Sequence, residues 1–595
     1  MYWQNAGIYC GASFVQILFM LCTGLLCLRM FKIQIETPFK WLFYAICTGI
    51  YVWILITALI FTQGKTVLAG TLPLVLLLLW TYHSNTDKKK IKINTFSYRK
   101  ILKYLPIIAV IGLWTFWLNM HCISTDGNNL YLPHFDILHS IEISKNMQLT
   151  GTESYYWWQK SNKTFPYHYA EIWLHAGIQA LWHTQKTWTW QGIVLPLLQT
   201  TLIIGLLAIL EQHQKKINFF MVLVACSFIL FQGWLNFSLP HFDTHFDFTR
   251  YISMIGAPKF IVIGIFCILY MLSRDFLKLF ILMFLPVFSV LTLPVVTIWI
   301  FLLWAKVRSK TTLLGLLFLL VWLIGFYTIT GQYASFGNSL TVLLPKLNVY
   351  FWKTNFYFVL ISIIFYLPVF FWIKEKTVLK HFAIIFTVSY SLFLIFYKWY
   401  DSYQFLVLLW IPLMWVYSWV IMINSQKKYI KILFGCMIGL SLIQTFFYKR
   451  DFQRTTIDNT WIHELYLYLD KYNLLQKGAS LSYYDIRQLH AFAWQKKEIK
   501  LLPLLAQPIF YDGITQKYPS DSLTAVIIQK TLPFQPKNSQ KDIEKQVFLF
   551  CKQHDIRFLI YPNTYKFDEM YKEHILQHFE NSKDNLSCIV FRTNY

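Results

Sequence analysis

Residues Ile8 to Lys32 read IYCGASFVQILFMLCTGLLCLRMFK. The run carries no charge before Arg29, and its basic residues stand together at the end. A helix needs about 20 apolar residues to cross roughly 30 Å of hydrocarbon. The stretch is therefore expected to be a membrane span that ends at a cationic rim. It lacks a basic n-region and a small-residue cleavage site, so it is read as a retained helix and not a signal peptide.

Similar runs recur along the chain. Of its 595 residues 56% are hydrophobic, 19% aromatic and only 14% charged, where a soluble protein carries about 25% charged residues. Weak alternating segments would mark an outer-membrane barrel, and the runs here are continuous. The composition predicts an α-helical polytopic membrane protein. Expected spans cover 8–30, 41–62, 66–82, 103–120, 190–210, 218–236, 258–273, 277–290, 293–305, 311–330, 351–373, 380–398, 403–424 and 429–447, about 13–14 in all. In 277–305, Pro286 and Pro294 would break one long helix, so a tight hairpin of short helices is expected there.

The net charge of +24 does not mark a nucleic-acid partner. Its densest run, DKKKIKINTFSYRK (Asp87 to Lys100), separates two apolar runs, and such basic loops mark the cytoplasmic side and attract anionic lipid. With alternating spans, RMFK, HQKKIN, SRDFLK, KVRSK, KEKTVLK and QKKYIK all fall on that side. Both termini and the loop 121–189 are then expected outside. Residues 168–182, HYAEIWLHAGIQALW, are interrupted by Glu171 and His175 and are expected to form a helix lying on the outer interface.

Past Lys449 the composition turns polar. GASLSYYD, TAVIIQ, RFLIYP and CIVFRT are expected strands, with DIEKQVFLFCKQH as a helix between them. The alternation predicts a small α/β domain over 450–595, extracytoplasmic by charge parity. Cys551 and Cys588 lie in it, and pairing between them is open if the tail is outside.

Candidate chemistry gathers in the expected outer loops. LPHFD occurs twice, at Leu132–Asp136 and Leu239–Asp243. Pro133 can open a helix, with His134 and Asp136 in its first turn. Asp136 is then either a functional carboxylate or a partner of the helix dipole. Ile137, Ile141, Met147 and Leu149 mark an apolar side that ends at Gly151, as in a surface helix. In FPYHYAE, His168 and Glu171 are candidates to hydrogen-bond a sugar or phosphate, or are satisfied interfacial residues.

His241, Asp243, His245 and Asp247 alternate along the second outer loop. In an extended chain they share one side, and in a helix the like residues pair at i,i+4. Either geometry is a candidate site for a divalent metal (Mg or Mn), and imidazole with carboxylate also suits Zn. Arg250 and Lys259 follow as candidate phosphate partners. Lys398 and Asp401 stand between two spans, as substrate contacts or as an ion pair. The chain has no Gly-rich phosphate loop, nucleophile elbow or HExxH, which argues against an ATP-driven pump, an α/β-hydrolase and a zinc protease.

The stretch HFDILHSIEISKNMQLTGTES resembles the pattern of Asp, a helix and Leu-x-x-Gly-x-Glu in bacterial GT-C class membrane glycosyltransferases of the polyprenyl-phosphate-sugar-dependent type. PYHYAEIWLHAG resembles the section that follows in some members, and DIRFLIYP and CIVFRT resemble the closing strands of their extracytoplasmic domains. Where the family carries adjacent acidic residues, Ile137 follows Asp136. The resemblance implies a GT-C-like transmembrane core over 103–449, preceded by additional helices and a basic cytoplasmic loop over 1–102. It implies a bacterial plasma-membrane enzyme moving a sugar from a polyprenyl-phosphate donor to a glycan, lipid or protein acceptor. Asp136 would be the general base, assisted by Asp243 and His241, with Arg250, Lys259, Lys398 or a metal stabilising the leaving phosphate. The two aspartates would then share one outward cavity under the α/β domain. The other readings are a polymerase or ligase of lipid-linked glycans, a membrane transporter, and a structural scaffold.

Overall fold

The structure, a computed structural model, describes residues 2–30, 37–62, 98–122, 125–126, 129–133, 169–183, 186–213, 217–231, 258–273, 296–301, 376–395, 428–432, 452–456, 460–481, 501–503, 540–563, 565–581 and 586–592, with single positions such as 141, 144 and 148. Among the described residues four helices are long and apolar enough to cross a membrane: Ala6–Met30, Pro38–Ala58, Lys103–Met120 and Trp190–Gln212. Phe219–Ile229, Ile261–Leu272 and Ala383–Leu392 are shorter apolar helices. The expected spans at 66–82, 311–330 and 351–373 lie largely or wholly outside the described residues.

Helices α1 (Tyr2–Met30) and α2 (Pro38–Thr62) pack as an antiparallel hairpin. A Cβ on Gly24 would run into the Ala45 carbonyl, and one on Gly49 into the Met20 carbonyl. Lipid tails are as apolar as leucine, so helices in a membrane associate through such close backbone approach and not through hydrophobicity. Helix α3 (Tyr98–Cys122) completes the first layer. Further along, α4 (Tyr169–Trp182) leads through His183, at φ 49, to α5 (Lys186–Thr189), a π-helical turn (Trp190–Val194) and α6 (Leu195–His213). Helices α7 (Phe219–Phe231) and α8 (Pro258–Leu272) pack on α6, and α9 (Lys376–Ile395) follows later in the chain. One hydrophobic core joins α1 through α8.

Contacts between helix ends fix the directions. Glu211, near the end of α6, accepts the Phe39 N–H at the start of α2 (2.9 Å). It thereby satisfies a donor that a helix start leaves unpaired. Phe39 also meets Tyr104 near the start of α3, and Tyr44 bonds Ser273 just past α8 (2.6 Å). Arg29, Lys40, Arg99 and Lys103 belong to this basic end. At the opposite end Tyr9 stacks on Trp188, and Asn119 Nδ2 donates to Gln199 Oε1 (2.6 Å). Helix α3 therefore finishes, and α6 begins, at the non-basic end.

The expectation of a surface helix over 168–182 is corrected. Residues 170–179 of α4 are all buried. With 14 residues the helix is only about 21 Å long. It sinks into the non-basic half of the bundle. Trp173 stacks on Phe61 of α2, and Gly177 lets α4 close onto Trp53 and Thr57. His175 and Gln179 are held by protein partners.

The polar tail folds into an α/β unit. Its sheet has the order β5-β4-β6-β8-β7, with β4 (Gly478–Ser480), β5 (Leu501–Pro503), β6 (Phe558–Pro562), β7 (Ile575–Asn581) and β8 (Leu586–Phe591). Strand β4 runs parallel to β5 and β6, and β8 is antiparallel to β6 and β7. Helix α10 (Thr460–Lys471) covers one face with Leu465 and Leu469 against Phe558, Ile560 and Val590. Helix α11 (Gln540–Gln553) covers the other with Val547 and Cys551 against Leu559, Tyr561 and Ile589. Three of the expected strands are thus β4, β6 and β8, and the expected helix is α11. TAVIIQ lies outside the described residues.

The alternation of β8 corrects the open disulfide. Cys588 points to the α10 face and Cys551 packs on the α11 face. Both are free, buried thiols, and burial raises both pKa values above the ordinary 9.0.

A second, three-stranded sheet links the two parts of the chain. Strands β1 (Thr125–Asp126), β2 (Asn129–Pro133) and β3 (Phe452–Thr456) are antiparallel neighbours in that order. Leu130 pairs with Thr455 and Pro133 with Phe452. The chain after α3 is thereby tied to the start of the α/β unit.

Candidate functional site

At the non-basic end, α4 presents Glu171, His175 and Gln179 at successive i,i+4 positions, so all three share one side of the helix. All are buried, and His175 is fully so. Positions 141, 144 and 148 are helical and lie against this side. Ser144 Oγ stands 2.6 Å from His175 Nδ1, and Gln148 Nε2 donates to Gln179 Oε1 (2.8 Å) and to the Ala176 carbonyl (3.1 Å). Both bridges link residues 31 apart, so the two helical segments run parallel across a polar seam.

The seam assigns its own protons. Ser144 Oγ donates to the Ile141 carbonyl (2.6 Å). A hydroxyl has one proton, so the arrangement that satisfies all three atoms has the Nδ1–H tautomer of His175 donating to Ser144 Oγ. Ser144 is fully buried with its proton on a backbone carbonyl. It is a structural link between the two helical segments. The His175 ring also meets Trp190 edge-on at 5.0 Å, joining the seam to the π-helical turn.

Further polar groups surround α4 and this turn. Trp182 Nε1 donates to Gln16 Oε1 of α1 (2.9 Å). Gln191, inside the π-helical turn, is fully buried, and neither of its amide atoms has a partner among the described residues. π-Helical turns are frequent at functional sites. The Gln191 side chain offers a neutral donor and acceptor together, which suits a hydroxyl group.

Of the residues singled out from the sequence, Glu171 lies in this seam. Lys259 lies in the first turn of α8. Since α8 finishes at the basic end, Lys259 stands toward the non-basic one. His134, Asp136, His168, His241, Asp243, His245, Asp247, Arg250, Lys398 and Asp401 lie outside the described residues. The structure does hold the chain on both sides of Asp136: Pro133 is paired in β2, and Ile141 is buried in the core. Among the described residues no three His, Cys, Asp or Glu side chains gather as a metal site.

Sequence reasoning did not place His175, Gln179, Ser144 or Gln148 in the site. Their signal is the repeated four-residue spacing of polar residues, at 144 and 148 and at 171, 175 and 179. No protein-family model matches the chain and no curated protein matches it, so the candidate site stands on its geometry.

Proposed function

We propose that the chain is a membrane glycosyltransferase that moves a sugar from a polyprenyl-phosphate donor to a glycan, lipid or protein acceptor at the non-basic, extracytoplasmic face. The observation that carries this reading is the double anchoring of the chain around Asp136. The β2–β3 pairing ties the preceding residues to the α/β unit, and the Ser144–His175 seam ties the following ones to the bundle. A segment whose two flanks are tied to a soluble unit and to an apolar bundle suits a reaction between a lipid-borne donor and a water-borne acceptor. The GT-C-like sequence pattern around Asp136 agrees with it.

In this reading Asp136 takes the proton of the acceptor hydroxyl as that oxygen attacks the anomeric carbon. The new carbon–oxygen bond forms while the bond to the donor phosphate oxygen breaks. The electron pair leaves with the phosphate. Lys259, at the start of α8, is one candidate cation to stabilise it. Arg250, Lys398 or a divalent ion held by His241, Asp243, His245 and Asp247 would serve the same end. His134, His168, Glu171 and Asp401 would contact the substrates.

A transporter is the second reading. The interrupted path from α4 through α5 to α6, with buried Gln16, Asn119 and Gln191, is the kind of broken, polar-lined helix that solute sites use. Comparing surface glycans and glycolipids in cells with and without the protein separates the two. Loss of one glycan species supports the transferase. An unchanged glycan profile with a lost solute flux supports the transporter.

A further inference from the structure

We infer that His175 is a positioning residue for the chain that follows Asp136, and that it acts through Ser144. The inference rests on the proposed transfer reaction for its catalytic consequence, but its geometry is independent of it. His175 and Ser144 are both fully buried and 2.6 Å apart. Ser144 Oγ also bonds the Ile141 carbonyl, so the His175–Ser144 hydrogen bond joins this turn to α4. Gln148, one turn on, repeats the attachment through Gln179.

His175 is itself fixed. Trp190 meets its ring, and α4 is wedged against α2 through Trp173 on Phe61 and Gly177 on Trp53. The seam therefore connects residues 141, 144 and 148 to a deeply packed part of the bundle. On the other side of Asp136, β2 pairs with its sheet neighbours β1 and β3. On the bundle side, the described attachments of residues 141–148 to α4 are the His175–Ser144 bridge and the Gln148–Gln179 bridge. A displacement of about 1 Å at a reacting group costs on the order of 100-fold in rate, so the bridge matters for turnover without touching substrate.

The test uses the full-length protein in lipid nanodiscs, with three variants. His175→Asn keeps a side-chain N–H near the Nδ1 position. His175→Leu and Ser144→Ala each remove one partner. Hydrogen–deuterium exchange of peptides covering 141–148 is read beside sugar transfer from membrane-derived polyprenyl-phosphate sugars. Faster exchange at 141–148 in His175→Leu and Ser144→Ala, with α1 and α2 peptides unchanged, is expected. Transfer should fall about 10- to 100-fold in kcat with KM within about twofold. The double variant should be no worse than either single one, and His175→Asn should stay within about threefold of the parent. Unchanged exchange at 141–148 in His175→Leu, or additive losses in the double variant, would overturn the inference. If exchange responds as expected while the parent protein transfers no sugar, the positioning stands and the transferase reading falls.

Discussion

The helix α4 and the C-terminal α/β unit bury polar groups in opposite ways. Helix α4 carries Glu171, His175 and Gln179 buried, and His175 and Gln179 are bridged to a neighbouring segment. The α/β unit sorts its side chains by alternation, with two apolar cores on the two faces of one sheet. Its buried Glu544 is used locally, accepting the Lys566 N–H (2.7 Å). The difference follows from the solvent. Water outside the α/β unit forces polar residues outward, so inside and outside differ in composition. Around a membrane bundle the outside is hydrocarbon, and polar residues turn inward to find partners.

The contrast breaks most readily where the bundle relies on backbone approach. Gly24→Leu should drive α1 and α2 apart, because a side chain there meets the Ala45 backbone. A loss of about 3 kcal/mol or more should appear as a collapse of folded yield and of Tm in detergent. A Leu at Gly7, which has nothing within 4 Å, is the control and should be tolerated. Next in size is Glu544→Ala, which leaves the partly buried Lys566 N–H without its acceptor. It should cost about 2 kcal/mol, read as earlier unfolding of the α/β unit with the bundle transition unchanged.

The seam sharpens the comparison further. Gln148→Leu or Gln179→Leu alone strands one buried amide and should cost about 1 kcal/mol. Replacing both with Leu should recover most of that loss, since neither amide is then unsatisfied. Equal additive losses would mean the two side chains do not act together. The smallest effect belongs to the thiols of the α/β unit. With Cys551 and Cys588 on opposite faces, dithiothreitol should leave Tm unchanged. A pH dependence should still appear. The folded thiols have raised pKa values, so their stabilising effect is complete below the ordinary 9.0. Above it the unfolded chain ionises first, and stability should fall by up to about 1.4 kcal/mol per thiol for each pH unit.

The same contrast decides what the sequence makes legible. RFLIYP and CIVFRT are short apolar runs bounded by polar residues, and β6 and β8 follow them closely. α11 carries its apolar residues on one side, as DIEKQVFLFCKQH suggests. In the bundle, length announces helices such as α1, α2 and α6, but it cannot say which side faces lipid. α4 was the casualty: Glu171 and His175 suggest a water-facing surface helix, yet the same residues lie inside because Ser144 and Gln148 receive that side. The β2–β3 pairing was illegible for another reason. FQRTT is a polar strand more than 300 residues from its partner, and no local pattern carries such a register. The face opposition of Cys551 and Cys588 depends on strand parity, which the exact ends of β8 determine.

The central claim is that the anchored segment between β2 and the seam presents a catalytic base. Its most direct test is sugar transfer by the full-length Asp136→Asn protein in native membranes, normalised to folded protein. A general base contributes about 100- to 10,000-fold, so the account predicts a loss of at least about 100-fold with folded yield and Tm preserved. Transfer at the parent rate by a folded Asp136→Asn protein would contradict it.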